Sequence, residues 1–312
     1  MAFNTPILFL VFNRLDTTKQ VFEKIKEAQP RYLYIAADGT RQNKEGEAQK
    51  CQLVRDYVIN NINWECEVKT LFRDENLGCA RAVSSAIDWF FENVEEGIIL
   101  EDDILFSPYF LKFCEELLEK YRFDNKVMHI GGLDIQNSRW GNTSYYFSNS
   151  VVSIWGWATW KRAWKSFEFN IESLIGDKIS QKQFETIIPL EAVRKKYTHS
   201  FESMFSNQVN SWAYRWYHAV WSNEGFCIVP NYNMIINIGF GEEGTHTTGE
   251  KPDYLKNTFE NPFIQKNQLV HPTKIKRNLK ADIDRLSFRL PKIEPTPSVF
   301  RRVLNKLKRI VK

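Results

Sequence analysis

The chain alternates short apolar runs with amphipathic stretches. Residues 6–12 (PILFLVF) are a continuous apolar run, followed by the polar NRLDTT and then by Val21, Ile25 and Ala28 at helical spacing. A run that is apolar on both faces predicts a parallel strand covered by helices on either side. Residues 31–37 (RYLYIAA) predict a second strand running into the Asp38-Gly39 turn. Residues 67–72 predict a third, ending in RDENLG, and residues 97–100 (GIIL) a fourth, ending in Glu101-Asp102-Asp103. Helices are expected over 49–61 and 80–91, the second with Ala82, Ala86 and Phe90 on one face. Four strand-helix alternations in about 100 residues predict an open α/β sheet. Beyond residue 130 the pattern is less regular, with an aromatic strand at 145–147, a Trp-rich stretch at 155–164, helices around 180–220 and a strand at 226–230. No internal repeat is found.

Length and composition narrow the class. The 312 residues, 43% hydrophobic and 26% charged, suffice for a large core without disulfide or metal staples. Cys51, Cys66, Cys79, Cys114 and Cys227 show no CxxC spacing, so a reducing cytoplasm is expected. The first apolar run is too short to span a bilayer and is not read as a signal peptide. Net charge is +4, but six cationic residues lie within the last twelve, leaving the rest at −2, which argues against nucleic acid as a partner. The 10 Trp, 12 Tyr and 23 Phe exceed what a core of this size usually asks for, and Trp often lines carbohydrate clefts, although core packing accounts for most such residues.

The strongest functional signal is where the charges fall. In open α/β sheets, ligands bind beyond the carboxyl ends of the strands. Asn13-Arg14, Asp38, Arg73 and the acidic triplet all lie at such ends. Three adjacent carboxylates repel one another unless a cation or polar ligand sits with them, and hard oxygen donors suit Mg²⁺ or Mn²⁺. The arginines suit a diphosphate.

VFNR near the start, AADG after the second strand, RDENLGCARAV and above all ILEDDILFSPYFLKF resemble the nucleotide-sugar-binding half of GT-A glycosyltransferases. They are most similar to the inverting N-acetylglucosaminyltransferases and their bacterial relatives, the nucleotide-diphospho-sugar transferases. The resemblance covers about residues 5–275. It implies an α/β, GT-A-like Rossmann-type open twisted sheet with flanking helices and an acceptor-side subregion; a C-terminal amphipathic helix is expected from the spacing of the tail's own residues. The implied division is a domain over 1–290, with a nucleotide-sugar half at 1–130 and an acceptor half at 131–290. A linker at 291–297 and a basic tail at 298–312 follow. The resemblance implies a UDP-sugar donor, UDP-GlcNAc, with Phe12, Asn13, Arg14, Asp38, Arg73, Asn76, Gly78, Arg81, Glu101 and Asp102 around it. It further implies a metal, usually Mn²⁺, at Asp103, where His246 could join as a ligand. Trp155, Trp157, Trp212 and Tyr214 are the candidate acceptor-binding aromatics. Gly239, Phe240, Gly241, Gly244 and Thr245 resemble a loop that closes over the diphosphate.

One expected group is missing. An inverting transferase needs a carboxylate base for the acceptor hydroxyl, and the resemblance places it where this chain has Ala213, between Trp212 and Tyr214. Three explanations stand side by side: a base-to-alanine change in this chain, which the intact flanking residues favour; a base elsewhere, at Glu202, Glu243 or Asp134; or an inactive homologue. In the tail, Phe300, Val303, Leu304, Leu307, Ile310 and Val311 recur at helical spacing among the cationic residues. This predicts an amphipathic helix lying on an anionic inner-leaflet surface. The expected function is transfer of GlcNAc to a hydroxyl of a bacterial cell-surface glycan or lipid-linked acceptor, in the cytoplasm and peripherally at the inner membrane. Alternatives are a non-catalytic sugar-binding homologue and a sugar nucleotidyltransferase, the latter disfavoured because FNRLDTT has no glycine for a phosphate loop.

Overall fold

The computed structural model describes residues 3–136, 139–176, 178–241, 251–255, 258–263 and 267–290. The expected alternation is realised in β1 (Ile7–Val11), α1 (Leu15–Ala28), β2 (Tyr32–Ala37), α2 (Glu47–Asn60), β3 (Glu67–Phe72), α3 (Gly78–Asn93) and β4 (Glu96–Glu101). Then come β5 (Ile104–Phe106), α4 (Pro108–Tyr121), β6 (Val127–Gly131), β7 (Tyr145–Ser148), β8 (Trp157–Trp160), α5 (Lys161–Trp164), α6 (Gln181–Ile187), α7 (Glu191–Phe205), α8 (Ala213–Ser222), β9 (Phe226–Pro230), β10 (Ile235–Asn237) and α9 (Leu279–Ser287). The architecture is the mixed α/β class that the sequence predicts.

An eight-stranded sheet runs β3-β2-β1-β4-β8-β6-β9-β7, and β10 pairs with β5 in a separate two-stranded ribbon. Strands β1 to β4 are mutually parallel, while β8 enters antiparallel between β4 and β6. The sheet is continuous across residue 130. Both of its faces are covered, which is why β1 is apolar throughout: Ile7, Phe9 and Val11 join one core cluster with α1, α2 and α4, and Leu8 and Leu10 join the other with α3 and α5 to α8. Only the edge strand β3 is largely exposed, and it carries Glu67 and Lys69, charges that discourage pairing with another sheet.

The Trp-rich stretch turns out to be divided between the two cores. Trp157 and Trp160 lie in β8 and are 0% and 1% exposed; Trp157 enters the second core, and Trp160 the first, where its Nε1 donates to the Leu118 carbonyl at 3.1 Å. Trp157 stacks on both His129 (5.1 Å between centroids) and Trp212 (5.6 Å). His129 is held as a neutral ring: its Nε2 donates to the Ser153 carbonyl at 2.9 Å and its Nδ1 accepts from Trp216 Nε1 at 3.2 Å. Burial pushes its pKa down to about 3. Among the described residues no helix is long and apolar enough to cross a membrane. The linker and tail expected at 291–312 lie outside the described residues.

Candidate functional site

In the order β3-β2-β1-β4 the chain winds outward from β1 to β3 and then crosses back to place β4 on the other side of β1, and the crevice at such a switch point, between β1 and β4, is where ligands bind in this class of sheet. A cavity of about 810 Å³ opens there. Its walls include Phe12, Asn13, Arg14, Asp38, Arg73, Asn76, Gly78, Glu101, Asp102 and Asp103, ten of the eleven expected donor and acid-edge positions.

Arg14 is the hinge of this edge. Its Nη2 donates to Asp102 Oδ1 at 2.5 Å and to Asp103 Oδ2 at 2.9 Å, joining the end of β1 to the turn after β4. Burial pulls its pKa down, but Asp102 and Asp103 outweigh that and hold the guanidinium charged. Burial and mutual repulsion act the other way on the acids: Asp102 is pushed up to about 6, and Glu101, enclosed beside Asp103 and Asp102, is also raised. Asp102 Oδ2 is buried without a hydrogen-bond partner of good geometry. The edge therefore crowds carboxyl groups whose charged forms one guanidinium only partly stabilises. Such a set fits a divalent cation that brings phosphate ligands with it and needs only one or two protein carboxylates. Among the described residues no group of three or more His, Cys, Asp or Glu side chains could hold a metal alone.

The ribbon of β5 and β10 brings the start of the glycine-rich loop onto this edge. Ile238 N donates to the Asp103 carbonyl at 2.8 Å. A Cβ on Gly239 would lie 2.0 Å from Asp103 Oδ2 and 2.7 Å from Arg14 Nη1, so only glycine fits. Phe240 packs edge-on against Trp155 at 5.9 Å. Glu243, Gly244, Thr245 and His246 lie outside the described residues.

Several assignments change in the structure. Asp38 lines the cavity, yet its carboxylate accepts from Asn76 Nδ2 and from the backbone N–H groups of Gly39, Leu77 and Gly78. It clamps the β3–α3 turn, and little of its acceptor capacity is left for a base. Arg81 is exposed, does not line the cavity and stacks on Phe169 at 4.2 Å, because the buried face of α3 carries Ala80, Ser84 and Ile87 instead. Glu202 faces solvent on α7, away from the cavity. Asp134 is 3% exposed, lies 3.6 Å from Arg285 Nη1 and is not part of the cavity wall, so neither carboxylate stands where a base is needed. Trp157 is core, not an acceptor platform. Trp212 lines the cavity but is 3% exposed, whereas Trp155 and Tyr214 are partly exposed in its wall.

Three groups escaped the sequence. Glu47, buried at the start of α2, accepts from Asn13 Nδ2 and Arg41 Nε at 3.0 Å each, and Arg41 lies over Phe12 at 5.4 Å. Asn210 accepts from Ala80 N at 3.0 Å and touches the Gly78 position, where φ is +74°. Asn237 caps Gly239 through its Oδ1 at 2.8 Å. Glu47 and Asn210 sit in polar stretches whose composition gives no periodic signal, and Asn237 ends the short apolar strand β10, where nothing in the sequence marks its cap. Asp38 and Asn210 together satisfy the first N–H groups of α3, so that helix start is closed by protein side chains.

No protein-family model matches the chain, and no curated protein matches it. Among solved structures, HddC from Yersinia pseudotuberculosis is similar at 12% identity over 52% of this chain and 80% of its own, with a TM-score of 0.33. A cytidylyltransferase from Leptospira borgpetersenii covers 62% of this chain and 72% of its own at 11% identity and a TM-score of 0.33. The glycosyltransferase GlyE of Streptococcus pneumoniae covers 65% and 40%, at 12% identity and a TM-score of 0.28. Likenesses this slight carry no argument about chemistry, which rests on the chain's own residues.

Proposed function

We propose that the chain binds a UDP-sugar, UDP-GlcNAc, across the carboxyl ends of β2, β1 and β4, and that its site is built for metal-dependent inverting glycosyl transfer to a glycan or glycolipid hydroxyl. The observation that carries this reading is Arg14 bridging Asp102 and Asp103 at the mouth of the switch-point cavity. Asp103, with Asp102 beside it, would hold the Mn²⁺ or Mg²⁺, which supplies Lewis-acid neutralisation of the leaving diphosphate. Arg14 keeps these carboxylates oriented, Phe12 under Arg41 offers an aromatic face, and Glu101 and Asp102 present oxygens to sugar and ribose hydroxyls. Gly239 lets the loop backbone approach Asp103.

In the reaction the acceptor O–H passes its proton to a base, its oxygen bonds to the anomeric carbon, and the bond from that carbon to the diphosphate breaks. Ala213 cannot take the proton. It is the first residue of α8, in the cavity wall, where a carboxylate would also be favoured by the positive end of the helix. As it stands, the chain would hold donor without turning it over efficiently. The test is Ala213→Asp: turnover of UDP-GlcNAc, hydrolytic or onto an added glycoside, should rise at least about 100-fold with UDP affinity unchanged, the range of a positioned base. No rise in a folded, UDP-binding variant sets position 213 aside as the base. Association with the inner leaflet through residues 298–312 belongs to the same reading, and removing them should release the protein from anionic liposomes while donor binding persists.

A further inference from the structure

The cavity is not uniform along the sheet edge. Over β2, β1 and β4 its wall is charged; over β8 and β6 it is apolar. This follows from the topology. Strand β8 is antiparallel to β4, so the segment leading into it, which carries Val152 and Ile154, lies beyond the carboxyl end of β4. Strand β6 is antiparallel to β8, so Leu133 and Ile135, just after it, lie on the same edge. Leu286 of α9 and the following Phe288 complete this end, with Tyr197, Tyr214 and Tyr217 from α7 and α8.

No carboxylate lines the apolar end, and its two cations are engaged by the protein. Arg285 Nη2 donates to the Leu133 carbonyl at 3.0 Å, Arg285 Nη1 is paired with Asp134 Oδ1 at 3.6 Å without a hydrogen bond, and the Arg289 guanidinium lies over the Tyr197 ring at 4.9 Å. The polar groups Asn210, Ser211 and Ser153 stand in the wall with Ala213 and Trp155. A fully hydroxylated sugar pushed into the apolar end would meet only the tyrosine hydroxyls and the two arginines and would bury its remaining hydroxyl groups against Leu133, Ile135, Val152, Ile154, Leu286 and Phe288 without partners, whereas alkyl or aryl surface there would leave water at a gain.

We infer that the acceptor is an amphiphile: its hydroxyl-bearing part lies at the junction beside position 213, and an apolar alkyl or aryl aglycone fills the end lined by Leu133, Ile135, Val152, Ile154, Leu286 and Phe288. This rests on the glycosyl-transfer reading for the role of the hydroxyl, but the apolar subsite is testable by itself. The full chain is titrated, following intrinsic tryptophan fluorescence from Trp155 and Trp212, with octyl β-D-glucopyranoside below its micelle-forming concentration and with methyl β-D-glucopyranoside. Burial of the longer chain should make the octyl glycoside bind at least about tenfold more tightly. Phe288→Ala and Ile135→Asn, both at partly exposed positions, should each remove most of that advantage with the folded state intact by thermal melting. Equal binding of the two glycosides, absence of binding by both, or an octyl advantage untouched by both substitutions overturns the inference. UDP is titrated into the same samples. UDP binding with no octyl advantage rejects the apolar subsite alone, and an octyl advantage without UDP binding supports the subsite while rejecting the nucleotide reading.

Discussion

The two sides of β4 solve opposite problems with the same sheet. Towards β1 and β2 the strands are purely apolar and the chemistry is confined to their carboxyl ends, where Arg14 holds Asp102 and Asp103 together. Towards β8 and β6 the unusual residues are inside the structure: Trp157, Trp164, Trp216 and His129 fill the layer under α5 to α8, and Trp160 is buried on the opposite face against α4. Position relative to a strand end, and not rarity of the residue, separates function from packing here. A charged cluster at the mouth of a crevice has a cost that a ligand can relieve, while an aromatic cluster is already satisfied by its neighbours.

Substitutions on the two sides should therefore separate stability from binding. The largest effect is expected for Trp157→Ala, which empties the centre of the aromatic layer and should cost about 3–5 kcal/mol of unfolding free energy. Chemical denaturation reads the loss, and UDP affinity of the folded fraction should not change. A parallel loss of UDP affinity would show that the two sides are not separable.

The next effect is electrostatic and lies on the same side. His129 has a folded pKa near 3, below the ordinary value of about 6.5, so the unfolded chain binds its proton first as pH falls. The contribution is neutral above pH 6.5 and destabilising below it, by about 1.4 kcal/mol per pH unit until the folded pKa is reached. Between pH 6.5 and 5 this amounts to about 2 kcal/mol, and His129→Gln should flatten that part of the stability profile relative to the unsubstituted chain. An unchanged profile would mean that the ring is not held neutral.

The smallest effect tests the link between the sides. Asn210 caps α3 from the segment that leads to position 213, and Asn210→Ala should cost about 1 kcal/mol, the ordinary worth of such a cap. Because Asp38 still holds Leu77 and Gly78, thermal melting should register the change while UDP affinity falls only slightly.

Strands β1, β2 and β4 were legible because both of their faces are buried, which leaves a largely unbroken apolar run, and β3, exposed and charged, because like them it ends in a polar turn. Strand β8 was not: its four residues, WATW, follow a glycine and read equally well as an exposed aromatic platform, and only the pairing with Ile98 and Ile99 of β4 places them inside. The acid edge was legible because adjacent carboxylates after an apolar strand are unfavourable without a purpose. Its supporting cast was hidden, since Glu47 and Asn210 act across 34 and 130 residues of sequence. Arg81 was assigned to the ligand by its neighbours in RDENLGCARAV, and the phase of α3 turns it outward.

The central claim is that the carboxyl edge of β1 and β4 binds a nucleotide diphosphate through Arg14 and the acids beside it. Calorimetric titration of UDP, with and without Mn²⁺, into the unsubstituted chain, Arg14→Ala and Asp103→Ala tests it most directly. The account predicts Mn²⁺-enhanced binding in the unsubstituted chain, and loss of that binding in both variants while they remain folded. Absence of UDP binding under every condition, or equal binding in the three proteins, would contradict it.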